Sequence, residues 1–298
     1  MKKSLLYILT LAVMAISCQK EIPVTGITLL PEYLELMEGE TSNVWASLIP
    51  EDATDRSVIW TSTDENVVIV NKGIVTAGEE GLAQITVSTI DGLYSATCLV
   101  RVMAMHEAVD MGLSVKWASM NIFAESPEDR GDYFAWGEIA TKPSFSWNNY
   151  QWGEKNDTAK PLCGMTRYNG SVEGGDGLSI LLPEDDAASK IWGHVWRTPT
   201  IDEFKELFDP NNCIVKWDES RKGLVITSRL TANSIFLPAA GYGDGNTSAG
   251  IGEDLRYWSS SLYTPDPTNA RYIYVYNGEV FRDRTARCIG LPIRAVTE

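Results

Sequence analysis

The sequence of 298 residues predicts an all-β N-terminal sandwich followed by an α+β C-terminal domain. Three observations predict it. Residues 23–103 break into short, turn-bounded apolar runs with a period of two. Helix-entry signals occur only after residue 180. The chain opens on a short apolar segment that ends at Cys18.

That opening segment, residues 1–18, has Lys2 and Lys3, then a mostly apolar stretch from Leu5 to Ile16, then Ser17-Cys18. A charged start, an apolar centre and a small residue before the cut make an export signal. The apolar centre is too short to span a bilayer, which takes about 20 residues. Ala15-Ile16-Ser17-Cys18 resembles the lipobox of bacterial lipoproteins, with Ala15 where Leu is usual. The resemblance implies lipidation of Cys18 and anchoring to a membrane. Gln19 rather than Asp follows the cysteine, which implies the outer membrane, and 19–22 form a linker to the first domain.

Cleavage removes two lysines and no acid, so the net charge of −15 becomes −17. Such a chain is repelled by phosphate backbones, and nucleic acid is not expected as a partner. The acids are dispersed, as on a soluble surface. Ten Trp and twelve Tyr are many for this length, enough to build cores and also recognition faces. Cys98, Cys163, Cys213 and Cys288 lack zinc-site spacing, and an exported chain permits disulfides. Cys98, in a strand-like tract, is expected to be a buried small hydrophobe.

In the first domain, strands are predicted at 27–30, 33–37, 43–48, 57–61, 67–70, 73–76, 83–88 and 95–102. Breaks fall at Glu38-Gly39-Glu40, Pro50-Glu51-Asp52, Lys72-Gly73 and Asp91-Gly92. The tracts LMEGET, LIPEDATDRSVIWTSTDENVVIV and NKGIVTAGEEGLAQITVST resemble the group 2 bacterial immunoglobulin-like family, BIG2. That resemblance makes Trp60 the core tryptophan, gives Gly73 a tight turn, and implies an Ig-like stalk or adhesion module.

In the second domain, residues 104–298, one helix is predicted after Leu182. Pro183 takes its first position, Glu184, Asp185 and Asp186 lie in its first turn, and Gly193 stops it. A second helix opens at a capping box, Thr200 to Glu203, with Phe204, Leu207 and Phe208 as its buried stripe. Strand-like tracts follow: GLVIT, SIFLPAAG, YWSSS, RYIYVYN, GEVF and GLPIRAV. The motifs VDMGLSVKWA, GDYFAWGE, WGHVWRTPTIDEFKEL, SIFLPAAGY, YWSSSLY and LPIRAV resemble the Fibrobacter succinogenes major paralogous domain family, FISUMP. The resemblance implies a C-type-lectin-like fold in surface lipoproteins. The family usually has Cys at Met120, so a family-style disulfide lacks that partner here.

Chemistry is thinly signalled. Glu184–Asp186, Asp244-Gly245-Asn246, and Asp266 with Asn269 could offer oxygens to calcium, but the helix-dipole role of the first group is preferred, and no metal or other cofactor is expected. His106 lies in the junction and His194 in a Trp-rich motif read as core, so no nucleophilic triad is expected. Cys288 has no nearby second thiol in sequence, as a sulfatase-modifying-type oxidase would need, and the chain is not expected to be an enzyme.

The C-terminal segment differs from the rest. From 271 to 298 five arginines face three acids. In Arg271-Tyr272-Ile273-Tyr274-Val275-Tyr276, alternation puts Ile273 and Val275 on one face and three tyrosines on the other. Tyr and Arg give contact area and hydrogen bonds at low entropic cost. Trp258, Tyr263, Arg271, Tyr272, Tyr274, Tyr276, Phe281, Arg282 and Arg284 are therefore the expected ligand contacts. The expected function is an outer-membrane, surface-exposed lipoprotein whose Ig-like stalk presents a lectin-like head for non-catalytic recognition of a glycan or protein. The alternatives are a structural or fimbria-like surface subunit and a sulfatase-modifying-type enzyme.

Overall fold

The computed structural model describes residues 21–153, 164–170, 175–276 and 278–298. Cys18 and Cys163 lie outside them. The described residues form two compact units, the first ending at Val102 and the second running from Met103 to Glu298.

The first unit is all β: β1 (Gly26–Leu30), β2 (Tyr33–Met37), β3 (Thr41–Asn43), β4 (Trp45–Ile49), β5 (Val58–Ser62), β6 (Val68–Asn71), β7 (Ile74–Ala77), β8 (Gly81–Thr89) and β9 (Ser95–Met103). They make a four-stranded sheet β2-β9-β8-β5, a three-stranded sheet β3-β7-β6 and the pair β1-β4. Alternation drives the packing. On β8, Ala83, Ile85, Val87 and Thr89 point inward, and their partners across β9 include Val100 and Cys98. Each such Val or Ile contributes about 1.5–3 kcal/mol by leaving water. Cys98 is a fully buried member of this core.

Two details differ from the sequence reading. The stretch 43–48 is two strands, because Val44 is buried and donates its N–H to Gly73 O, so the chain passes from β7 as partner to β1 as partner. Trp60 is only half-buried, at the flank of the core. The turn at Lys72-Gly73 has both φ values positive, 50° and 84°, and a Cβ on Gly73 would lie 2.6 Å from Val44 O. The backbone of residue 73 is therefore restricted to glycine.

The second unit contains β10 (Ala108–Val109), β11 (Lys116–Ala118), α1 (Ala187–Trp192), α2 (Ile201–Leu207), β12 (Cys213–Asp218), β13 (Gly223–Ser228), β14 (Ser234–Pro238), β15 (Tyr242–Asp244), β16 (Thr247–Ala249), β17 (Arg256–Leu262), β18 (Asn269–Tyr276), β19 (Glu279–Ala286) and β20 (Val296–Thr297). Among the described residues it is mostly β, its helix confined to two short α segments and two 3-10 turns. The sheets are β10-β11-β20, β12-β13-β14, β15-β16 and β17-β18-β19, all antiparallel. The tract GLPIRAV is largely irregular, with only Val296 entering β20.

The helix at α2 starts as its capping box predicts: Thr200 Oγ1 accepts from Glu203 N, and Glu203 accepts from Thr200 N. Phe204 and Leu207 are buried. The other helix starts later than predicted. Pro183–Asp185 is a 3-10 turn, and Asp186 is extended and caps α1 by accepting from Ala188 N. Asp186 is instead a buried anchor that also accepts from Thr198 N and Oγ1, at 2.7 and 2.6 Å. Gly193 ends α1 at φ 95°. His194 is exposed, while Trp192 and Trp196 on either side of it are core.

Candidate functional site

The sheet β17-β18-β19 has a core cluster on each side. Tyr257 and Ile273 belong to the cluster that includes Trp117, Phe204 and Leu207, whereas Trp258 and Tyr272 belong to the one with Trp136, Trp192 and Leu291. Residues directly opposite across antiparallel strands share a face. The pairs Trp258↔Tyr272, Arg256↔Tyr274 and Tyr274↔Phe281 therefore lie on one face, and Arg271↔Arg284 and Ile273↔Arg282 on the other. The expected contact set is thus split: Trp258, Tyr272, Tyr274 and Phe281 lie on one side of the sheet, and Arg271, Arg282 and Arg284 on the other.

The aromatic side is a ladder leading out of the core. Trp258 is buried, and its indole N–H donates to Phe134 O at 2.8 Å, so it is a packing residue and not a ligand contact. Tyr272 meets it edge-on at 6.3 Å and is itself buried. Burial pushes the Tyr272 phenol pKa up, with Arg256 only partly opposing. Tyr274, half-buried, stacks on Tyr272 at 5.6 Å and on Phe281 at 5.2 Å. Phe281 and Tyr276 are exposed, at 37% and 63%. Arg256 extends the same side, lying 3.9 Å from the Tyr242 ring centre and paired with Asp254. Neither Tyr242 nor Arg256 was legible as a site residue, because β15 meets this face only through the tertiary fold.

On the opposite side, the guanidinium groups of Arg271 and Arg284 both lie over the half-buried Tyr263 ring, at 5.2 and 5.1 Å. Arg282 is exposed two residues along the strand from Arg284. Two other arginines of the segment have a different role. Arg287 is fully buried, donates to Tyr150 Oη at 2.7 Å and to the carbonyls of Arg167, Tyr168 and Pro267, and sits over Trp136. Arg294 is fully buried and donates to Asn121 Oδ1 and to the carbonyls of Ala118, Ser119 and Phe236. Burial lowers both pKa values, that of Arg294 to about 10. The basic excess read from the sequence is therefore partly structural.

Two of the acid tracts, 184–186 and Asp266 with Asn269, have protein partners. Glu184 pairs with Arg167, and Asp185 accepts from Tyr168 Oη at 2.6 Å and pairs with the same arginine. Asp266 accepts from Thr268 and Asn269. Among the described residues no cluster of three His, Cys, Asp or Glu is placed to hold a metal ion. Cys98, Cys213 and Cys288 are free and buried. Burial pushes the Cys288 thiol up to about 12, opposite to the activation an oxidase thiol requires. A polar cavity of about 220 Å³, unannounced by any motif, lies elsewhere on the unit among Arg130, Tyr133, Lys142, Phe145, Thr247 and Ser248. Lys142, one of its two cations, is already paired with Glu138 at 2.7 Å.

Comparison with known proteins accounts for the first unit. Residues 23–100 match the family described as bacterial Ig-like domain (group 2), and this segment is such a domain. The chain is similar to an uncharacterized protein of Clostridium acetobutylicum, with 44% identity over 81 residues covering 26% of this chain and 20% of that protein. It is similar to lacto-N-biosidase of Bifidobacterium bifidum, with 43% identity over 60 residues, 20% of this chain and 5% of that enzyme. It is also similar to an Ig-like virion protein of Serratia phage KSP90, with 35% identity over 83 residues, 27% of this chain and 32% of that protein. The chain spans less than a third of the length of each of these relatives, or about that much for the last. Among solved structures, the C-terminal fragment of intimin in complex with the intimin-binding domain of its translocated receptor aligns with 76% of this chain and 65% of its own, at 14% identity. Its TM-score of 0.20 is too low to establish a common fold.

Proposed function

We propose that the chain is a surface lipoprotein that recognises a ligand without turnover. In this reading a lipid on Cys18 holds it to the outer membrane, the Ig-like domain acts as spacer, and a C-type-lectin-like second unit of the FISUMP kind makes the contact with a glycan or a protein. The observation that carries the reading is the aromatic ladder Trp258–Tyr272–Tyr274–Phe281, anchored in the core and ending in exposed Phe281, with exposed Tyr276 two residues along β18 from Tyr274. Exposed rings held rigid by a buried stack lose little entropy on binding, which is what a contact surface needs. The high thiol pKa of Cys288 and the partnered acids favour binding over chemistry.

The test is a glycan array and a surface-protein pull-down with the mature chain, comparing wild type with Tyr276→Ala/Phe281→Ala. Loss of about tenfold or more in affinity for whatever is captured is expected. Undiminished binding removes the aromatic face from the site. Palmitate labelling of wild type but not of Cys18→Ser tests the anchor, and an unlabelled wild type defeats it.

A further inference from the structure

The arginine side of the same sheet has a feature that the aromatic face does not explain. β19 is the outer strand of β17-β18-β19, with no strand beyond it among the described residues. The direction of its free backbone groups follows from its neighbour. Val275 N–H donates to Leu255 O, and Arg271 O accepts from Ser259 Oγ, so Arg271, Ile273 and Val275 turn their backbone groups towards β17. Their opposite numbers on β19 are Arg284, Arg282 and Val280. In an antiparallel ladder these partners do not bond to β18, and their N–H and C=O groups face the open edge.

The side chains at that edge are selective. Arg271 and Arg284 stand directly opposite each other, a like-charge pairing that is unfavourable unless something neutralises it. Among the described residues Arg271 and Arg282 form no ion pair, in a chain with a large excess of acids. Only Arg284 is compensated, by its neighbour Asp283. That carboxylate accepts from Arg284 N at 2.9 Å and from Arg284 Nη1 at 3.0 Å. It thus occupies both the outward N–H and the guanidinium, the two groups that an incoming strand bearing a carboxylate would use. Arg282 and Arg284 share a face at a two-residue step of about 6.8 Å, the same step that separates alternate side chains of any extended peptide. Self-association about this segment sets arginine against arginine, which disfavours a second copy as the occupant.

The geometry points to β19 as a docking edge for an extended acidic peptide, which adds as a further strand and places alternate carboxylates against Arg282 and Arg284, with Arg271 behind them. Main-chain bonds supply affinity and the arginines supply specificity. The inference rests on the second unit being a recognition module, but not on its aromatic face.

The experiment measures anisotropy of a short fluorescein-labelled peptide of alternating Glu and Thr with the mature chain, beside an N-methylated version and fluorescent heparin. The peptide should bind, more weakly as salt rises. Arg282→Gln/Arg284→Gln should weaken it about tenfold, Arg282→Lys/Arg284→Lys should recover part of the loss, and Asp283→Asn should tighten it by removing the internal competitor. The N-methylated peptide should not bind. Absence of peptide binding, equal binding by the Gln variant, or equal binding of the N-methylated peptide overturns the inference. Heparin binding in place of the peptide overturns it in favour of an acidic glycan. A melting curve checks that the Gln variant is folded, and the N-methylated arm decides the matter even if it is not. Tyr276→Ala/Phe281→Ala should leave peptide binding in place, so failure of the aromatic site and failure of this edge are read separately.

Discussion

The two units bury their interiors by different means. The Ig-like unit is held by aliphatic side chains on alternating positions, Val68, Val75, Ile85, Val87 and Val100 among them, with no polar group needed at its centre. The second unit contains buried indoles, phenols and two fully buried guanidinium groups whose donors are satisfied by carbonyls far away in sequence. The first kind of core tolerates exchange of one apolar residue for another of similar volume. The second depends on individual polar atoms, because a carbonyl that loses its buried donor bears the desolvation penalty of that group. The difference also bears on recognition. A unit that positions its rings and arginines by long-range hydrogen bonds holds a surface in a fixed geometry even where its backbone is irregular.

The sharpest way to break the contrast is Arg294→Met. It strands Asn121 Oδ1 and the carbonyls of Ala118, Ser119 and Phe236, and about 4 kcal/mol should be lost from the second unit. Arg294→Lys should not restore it, since an ammonium cannot span the same fork. Urea unfolding with hydrogen exchange assigns the loss to a unit; an unaffected second unit would show that the buried guanidinium is dispensable. Next in size is Ile85→Ala, which should remove about 3 kcal/mol from the Ig-like unit by creating a cavity while leaving exchange in the second unit unchanged.

A smaller effect separates two carboxylates at neighbouring helix starts. Burial raises the Asp186 pKa, outweighing the hydrogen bonds from Thr198 and Ala188. Glu203 is also pushed up by burial, but Arg197 and the Thr200 N–H outweigh this and its pKa is lowered. The signs are opposite. Stability from Glu203 is present above its ordinary pKa and is lost as pH falls through the lowered value, whereas protonation of Asp186 on acidification relieves a burial penalty. Glu203→Gln should therefore cost about 1 kcal/mol near neutrality and flatten the acid limb of a urea-midpoint profile, and Asp186→Asn should steepen that limb. Identical profiles for the two variants would refute the assignment. Smallest of all, Trp45→Thr, at an exposed site opposite Leu30 on the β1-β4 pair, should change stability by less than about 0.5 kcal/mol. A larger change in thermal midpoint would mean that this pair is not merely a surface.

Legibility followed the same division. Strands of the first unit were readable to within a residue or two because alternation and turn residues are local. The division of 43–48 was hidden because only the tertiary partner of Val44 shows that the chain changes sheets. In the second unit the capping box at Thr200 was readable for the same local reason, whereas Asp186 could not be told from a dipole-facing acid until Thr198 stood beside it. The site was half legible. The period-two pattern correctly put the three tyrosines on the face away from Ile273 and Val275. It could not show that Trp258 is core, or, without the pairing of β19, that Arg282 and Arg284 lie on the same side as Arg271 and away from Tyr272, Tyr274 and Phe281.

By itself, the sequence determined which segments alternate, where the α2 helix and the turns begin, how acidic the chain is, and that the N-terminal strands make an Ig-like domain. All of these depend on neighbours within a few positions. Only the tertiary structure decided which arginines are buried pins and which stand exposed at an edge, since a guanidinium reads the same in either place. For the buried ones the role is set by acceptors that chain folding brings together, as it does for Arg294 and Asn121, 173 residues apart.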